Sequence, residues 1–133
     1  MNLRLAILIL LFPFITFGQD KECECWRIYT GTFYSVLESG DTILYERTKE
    51  RQTEYLQTKP RNKFKLNIIW LNECKYILRY SKDNPSLKQK FMKGDIISKI
   101  IETGEDYFVV ESKAKGEKKL SLTIYSYPPG SEL

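Results

Sequence analysis

Chemistry in this chain would have to be built from three cysteines, seventeen carboxylates and nine tyrosines, because the sequence contains no histidine. Without imidazole there is no Ser-His or Cys-His dyad and no histidine-ligated metal. Three cysteines are also one short of a zinc centre made of thiolates alone. Among the carboxylates, Glu102, Glu105 and Asp106 gather at a turn, and Glu22 and Glu24 precede the first strand. Acids at turns are the ordinary solvated surface of a soluble domain, and neither group carries the pattern of a paired acid and base. No glycine-rich phosphate loop is present. These absences point to a non-enzymatic protein with no cofactor and no metal.

Aromatic side chains are what remains for function. Trp70, Tyr76 and Tyr80 fall on the apolar faces of two alternating segments, and Tyr45 lies on an earlier one. In a small barrel such a face lines an interior just wide enough for packed side chains or one small ligand. These four residues are therefore the candidate lining of a site for a small apolar ligand; Arg79 alternates to the opposite face and is excluded. Core packing and cross-strand pairing are the other use of the same aromatics. That use makes the domain a structural or protein-interaction module with a filled interior and no ligand, whereas the first reading allows a small apolar ligand or an envelope protein as partner. Two basic clusters, Lys59, Arg61, Lys63 and Lys65, and Lys88, Lys90 and Lys93, flank Phe64 and Phe91. They weakly echo a surface for single-stranded nucleic acid. Lysines on strand faces are normally solvated, however, and the small net charge of +4 is far from a concentrated basic field. Nucleic acid is not an expected partner.

The elements that position these residues have the period of strands. Phe64, Leu66, Ile68 and Trp70 alternate with Lys65, Asn67, Ile69 and Leu71; Cys74, Tyr76, Leu78 and Tyr80 follow after Asn72-Glu73, which reads as a hairpin turn. Further strands are expected at Asp95 to Glu102, Tyr107 to Lys113 and Leu120 to Tyr127, joined by Thr103-Gly104-Glu105-Asp106 and Lys115-Gly116-Glu117. Upstream, Trp26 to Leu37 reads as one long strand ended by Ser39-Gly40-Asp41, with weaker strands at Thr42 to Arg47 and Thr53 to Gln57. Only Pro85 to Met92 looks helical. The charge-rich stretch from Thr48 to Lys63 is expected to be mobile or to project as a long hairpin. The fold class is all-β: an antiparallel up-and-down meander of about eight strands, closed as a lipocalin-like barrel or curved sheet, with a small β-sandwich as the alternative.

Cys23 and Cys25 stand two residues apart, which in an extended chain separates their Cα atoms by roughly 6.5–7 Å, at or beyond the disulfide limit. One of them therefore pairs with Cys74, and strand parity selects Cys25. In an up-and-down meander all odd strands begin at the same end; Cys25 enters the first and Cys74 begins the fifth. The Cys25–Cys74 bridge leaves Cys23 as a free thiol.

The N-terminus carries the three-part pattern of a secretory signal. Arg4 supplies a positive start, Leu5 to Phe17 an apolar run, and Thr16 and Gly18 small residues before a cleavage that leaves Gln19 first. The run is too short to span a bilayer, which takes roughly 20 apolar residues, and Pro13 interrupts it. Residues 1–18 are thus expected to be removed, with 19–133 forming a single domain of about 115 residues. No transmembrane span remains, and the mature protein is placed in the periplasm or outside the cell, where a disulfide is stable.

Two resemblances add to this reading. Thr30-Gly31-Thr32-Phe33 resembles the Gly-x-Trp of lipocalin-like barrels, with Phe33 in place of the tryptophan. Cys25 followed by Thr30 to Tyr34, then Trp70-Leu71-Asn72-Glu73-Cys74-Lys75-Tyr76, then Lys93-Gly94-Asp95 is similar to a family of small exported bacterial proteins of unknown function. The family has one early cysteine, matched by Cys25; Cys23 departs from it. Some members carry the inherited name DNA topoisomerase IV. A topoisomerase needs a strand-cleaving tyrosine, a metal-binding acidic cluster and several domains, and an exported domain of this size supplies no such set.

Overall fold

The computed structural model of the protein describes residues 24–56, 62–84 and 94–127. They form eight antiparallel strands in chain order, β1 (Gly31–Val36), β2 (Thr42–Arg47), β3 (Arg51–Leu56), β4 (Asn62–Trp70), β5 (Lys75–Tyr80), β6 (Ile96–Thr103), β7 (Tyr107–Ala114) and β8 (Leu120–Ser126). Each strand pairs with its neighbours in sequence, and β8 returns to β1 through Phe33↔Ser126 and Tyr34↔Tyr125, closing a barrel. The meander is therefore a barrel and not a sandwich. Closure removes the two free edges that an open meander would expose. No helix among the described residues is long and apolar enough to cross a membrane.

Period-2 alternation places Phe33, Tyr45, Leu66, Ile68, Tyr76 and Leu78 inside, with Ile100, Phe108, Val110 and Ile124 completing the core. Between β6 and β7 the register shifts at Ile100/Glu102, a bulge that leaves Ile101 unpaired on the outside.

The chain does not enter the barrel as one long strand from Trp26. Cys25–Ile28 is a 3-10 turn, and β1 begins only at Gly31. Gly31 has φ +136°, and a Cβ there would meet the Phe33 ring at 3.2 Å, so this position breaks the strand and favours glycine. The turn forms because its apolar residues have a floor to fill: Ile28 and Cys25 are fully buried at the end of the barrel. Cys25 is bonded to Cys74 across a Cα–Cα distance of 5.3 Å. Arg27 donates to the Gly104 carbonyl at 2.7 Å and to the Glu105 carbonyl, and lies over the Phe108 ring. Tyr29 donates to the Glu73 carbonyl at 2.9 Å. The β4–β5 and β6–β7 turns thus clamp the plug from two sides.

The charge-rich stretch after Thr48 is a second departure. Its described part neither projects nor stands apart: β3 pairs with β2 over Ile43 to Arg47 and with β4 over Asn62 to Asn67, as barrel wall. Its polarity has a different cause, because Gln52 and Glu54 face inward. The expected signal peptide (1–18), Cys23, the segment Pro85 to Met92 expected to be helical, and most of the two basic clusters lie outside the described residues.

Candidate functional site

In an up-and-down barrel the turns after even-numbered strands share one end. Here that end holds the plug, the disulfide and the aromatic floor. Trp70 packs against Tyr29 and Tyr76 with ring centroids 4.2 and 4.8 Å away, and its indole N–H donates to the Lys49 carbonyl at 2.9 Å. The opposite end carries the β1–β2 and β7–β8 turns.

Between floor and mouth runs a polar ladder on β2 and β3. Their tight connection sets Arg47 opposite Gln52 and Tyr45 opposite Glu54. Arg47 is only 5% exposed. Its Nε and Nη2 donate to the Gln52 Oε1 at 2.9 and 2.5 Å, and its Nη1 to the Ile28 carbonyl of the plug at 3.3 Å. The guanidinium lies 4.7 Å from the centre of the Tyr76 ring, a cation–π contact in a desolvated site. Gln52 passes the chain on, donating from Nε2 to the Glu54 Oε1 at 2.7 Å. Tyr45 and Ser35 share a hydroxyl–hydroxyl bond of 2.7 Å, as do Ser98 and Ser112 across the lumen wall. No buried side-chain nitrogen or oxygen among the described residues lacks a partner, as buried polar groups require.

Electrostatics follow from this burial. Desolvation raises the Glu54 carboxyl above its ordinary value, and the Gln52 hydrogen bond and the Arg47 charge offset only part of it. Burial also lifts the Tyr45 phenol, with the Glu54 charge adding to it. Tyr80 is raised by burial first, then by the carboxylates of Glu54 and Glu117. Glu54 thus holds its proton to higher pH than a solvated carboxyl does.

A half-open cavity of about 190 Å³ occupies the lumen above the ladder. Tyr45, Arg47, Gln52, Glu54 and Tyr76 form its polar and aromatic side; Leu78, Val110, Leu122 and Ile124 form its aliphatic wall; Glu117 and Lys118 stand at the mouth. Of the four residues singled out from the sequence, Tyr45 and Tyr76 line this cavity. Trp70 belongs to the aromatic floor and Tyr80 packs against the core beside the carboxylates, so neither is among the lining residues. Arg79 lies outside, in a two-bond ion pair with Asp95 at 2.8 Å.

Arg47, Gln52 and Glu54 are the site residues that sequence reasoning missed. Their signal was present in the spacing: a short turn at Thr48 to Glu50 pairs Arg47 with Gln52 on the face already occupied by Tyr45. Among the described residues no group of three cysteine, aspartate or glutamate side chains is placed to hold a metal ion. What the arrangement can do is surround a small apolar body and offer hydrogen bonds to one polar tip. No protein-family model, curated protein or solved structure matches the chain.

Proposed function

We propose that the protein is an exported, non-enzymatic barrel that holds a small, mainly apolar molecule in its lumen. The observation that carries this is the half-open cavity of about 190 Å³ above a fully bonded polar ladder. A cavity of about 150 Å³ with apolar walls holds a benzene-sized molecule, so the ligand is of that order with one hydrogen-bonding group. Its apolar part meets Leu78, Val110, Leu122 and Ile124, and its polar tip meets Glu54 and Tyr45. The ladder is a positioning frame: Arg47 and Gln52 hold Glu54 where the tip would arrive. Trp70 and Tyr80 support from the floor and the flank.

Export is supported by the N-terminal signal pattern and is compatible with the Cys25–Cys74 bridge. The similarity to small exported bacterial proteins points the same way. Native mass spectrometry of protein purified from its own cell envelope tests the reading. A bound small molecule is expected, and it should be lost in Ala114→Phe, which places a ring among the cavity-lining residues. A bare monomer that also fails to take up toluene would leave a filled structural module instead.

A further inference from the structure

The outer wall of the barrel carries an arrangement that neither the core nor the lumen explains. Register places three isoleucines side by side across β4, β5 and β6, through the pairs Ile69↔Ile77 and Ile77↔Ile97. All three alternate away from the interior residues Ile68, Tyr76 and Leu78, and Ile69 and Ile97 are 38% and 46% exposed. An outward face of a small barrel is normally polar, so a contiguous apolar row there calls for a partner.

Lysines border that row. Ile97 pairs with Lys113 on β7, and the adjacent row sets Lys75 directly opposite Lys99. Like charges opposed across a strand pair are destabilising, so folding gains nothing from this pairing. A groove of about 640 Å³ runs over the same surface, lined by Lys75, Lys99, Lys113, Lys115 and Lys119 around Ile97. Its two carboxylates are already engaged, Asp95 by Arg79 and Glu111 by Lys119. Lys75, Lys99, Lys113 and Lys115 have no ion pair among the described residues. The whole chain has 21 basic to 17 acidic residues, a small excess, so five lysines around one groove are a local segregation of charge.

From this we infer that the outer face of β4 to β7 docks on an anionic membrane surface, with the isoleucine row entering the headgroup boundary and the lysines meeting lipid phosphates. Apolar side chains flanked by lysine are the pattern of interfacial binding. Lysine is a flexible point charge without arginine's fork, suited to a fluid array of phosphates more than to one fixed carboxylate geometry. A second copy of the chain would oppose lysine to lysine. The inference stands independently of what the lumen holds.

Cosedimentation with large vesicles tests it. The purified exported protein should pellet with vesicles of equal parts phosphatidylglycerol and phosphatidylcholine and stay soluble with phosphatidylcholine alone. Raised salt should weaken the binding. Each lysine near an anionic surface contributes about a fivefold factor, so Lys75→Gln, Lys99→Gln and Lys113→Gln together should weaken partitioning by roughly a hundredfold. Ile97→Ser should weaken it without changing the salt dependence. These positions lie on the outer face, and unchanged circular dichroism and an intact disulfide identify the variants as folded. Failure to bind the anionic vesicles, or undiminished binding by the triple variant, would overturn the inference. Binding to soluble polyglutamate in preference to vesicles would overturn it in favour of an acidic protein partner.

Discussion

Replacing both Cys25 and Cys74 by alanine removes the covalent tie between plug and wall while changing little else. Cys25 is 1% exposed, and alanine keeps its small volume in the floor. The bridge spans 49 residues of chain. In the chain-entropy account, closing a loop of that length lowers the entropy of the unfolded chain enough to contribute about 4 kcal/mol at 25 °C. The variant is best made in a Cys23→Ala background, so that the one remaining thiol cannot link two molecules. Urea unfolding followed by tryptophan fluorescence then reads the effect. With a slope of about 2 kcal/mol/M for a domain of this size, the midpoint should fall by about 2 M. Thiol counting on the unmodified, denatured protein should find one reactive cysteine, and three would remove the premise. A loss below about 1 kcal/mol would refute the reasoning. It would mean that Ile28, Arg27 and Tyr29 already hold the plug against the barrel, and that the unfolded chain is compact enough to make the tie redundant.

The ladder gives two further predictions. Arg47→Met keeps most of the volume but strips Gln52 Oε1 of its donors and releases the Ile28 carbonyl; it should destabilise the domain by about 3 kcal/mol in the same assay. Glu54→Gln acts in the other direction. A carboxyl whose folded pKa is raised binds its proton more tightly in the native state. Its contribution is therefore most favourable below the ordinary value of 4.5 and is lost as pH rises through the raised one. Glutamine can still accept from Gln52, so the variant should be more stable than the parent at pH 7. The advantage should vanish below about pH 4 in thermal melts; an advantage independent of pH would show that Glu54 is not the titrating group.

Much of the frame was legible in the order of residues. Alternation marked β2 and β4 to β8 to within a few residues, and the parity of an up-and-down meander was enough to pair Cys25 with Cys74. Both inferences need only the two-residue period of a strand and the reversal of direction at each turn. The candidate site was legible in part. Tyr45 and Tyr76 line the cavity, whereas Trp70 and Tyr80, which share the same faces, are used at the floor and against the core. Period alone cannot say how far along the barrel axis a residue sits.

The stretch from Thr48 to Lys63 shows the converse. Gln52 and Glu54 look like surface residues by composition, and they are accommodated inside because Arg47 on the neighbouring strand donates to Gln52 and Gln52 in turn donates to Glu54. The sequence by itself determined which side chains share a face, where the chain turns and which cysteines meet. Only the tertiary structure decided that Gln52 and Glu54 join the interior, that a 3-10 turn seals one end, and that three isoleucines and their lysines line up on the outer wall. The seal depends on contacts between the N-terminal turn and the β4–β5 and β6–β7 turns far along the chain, and the row on the registers in which β4, β5 and β6 pair.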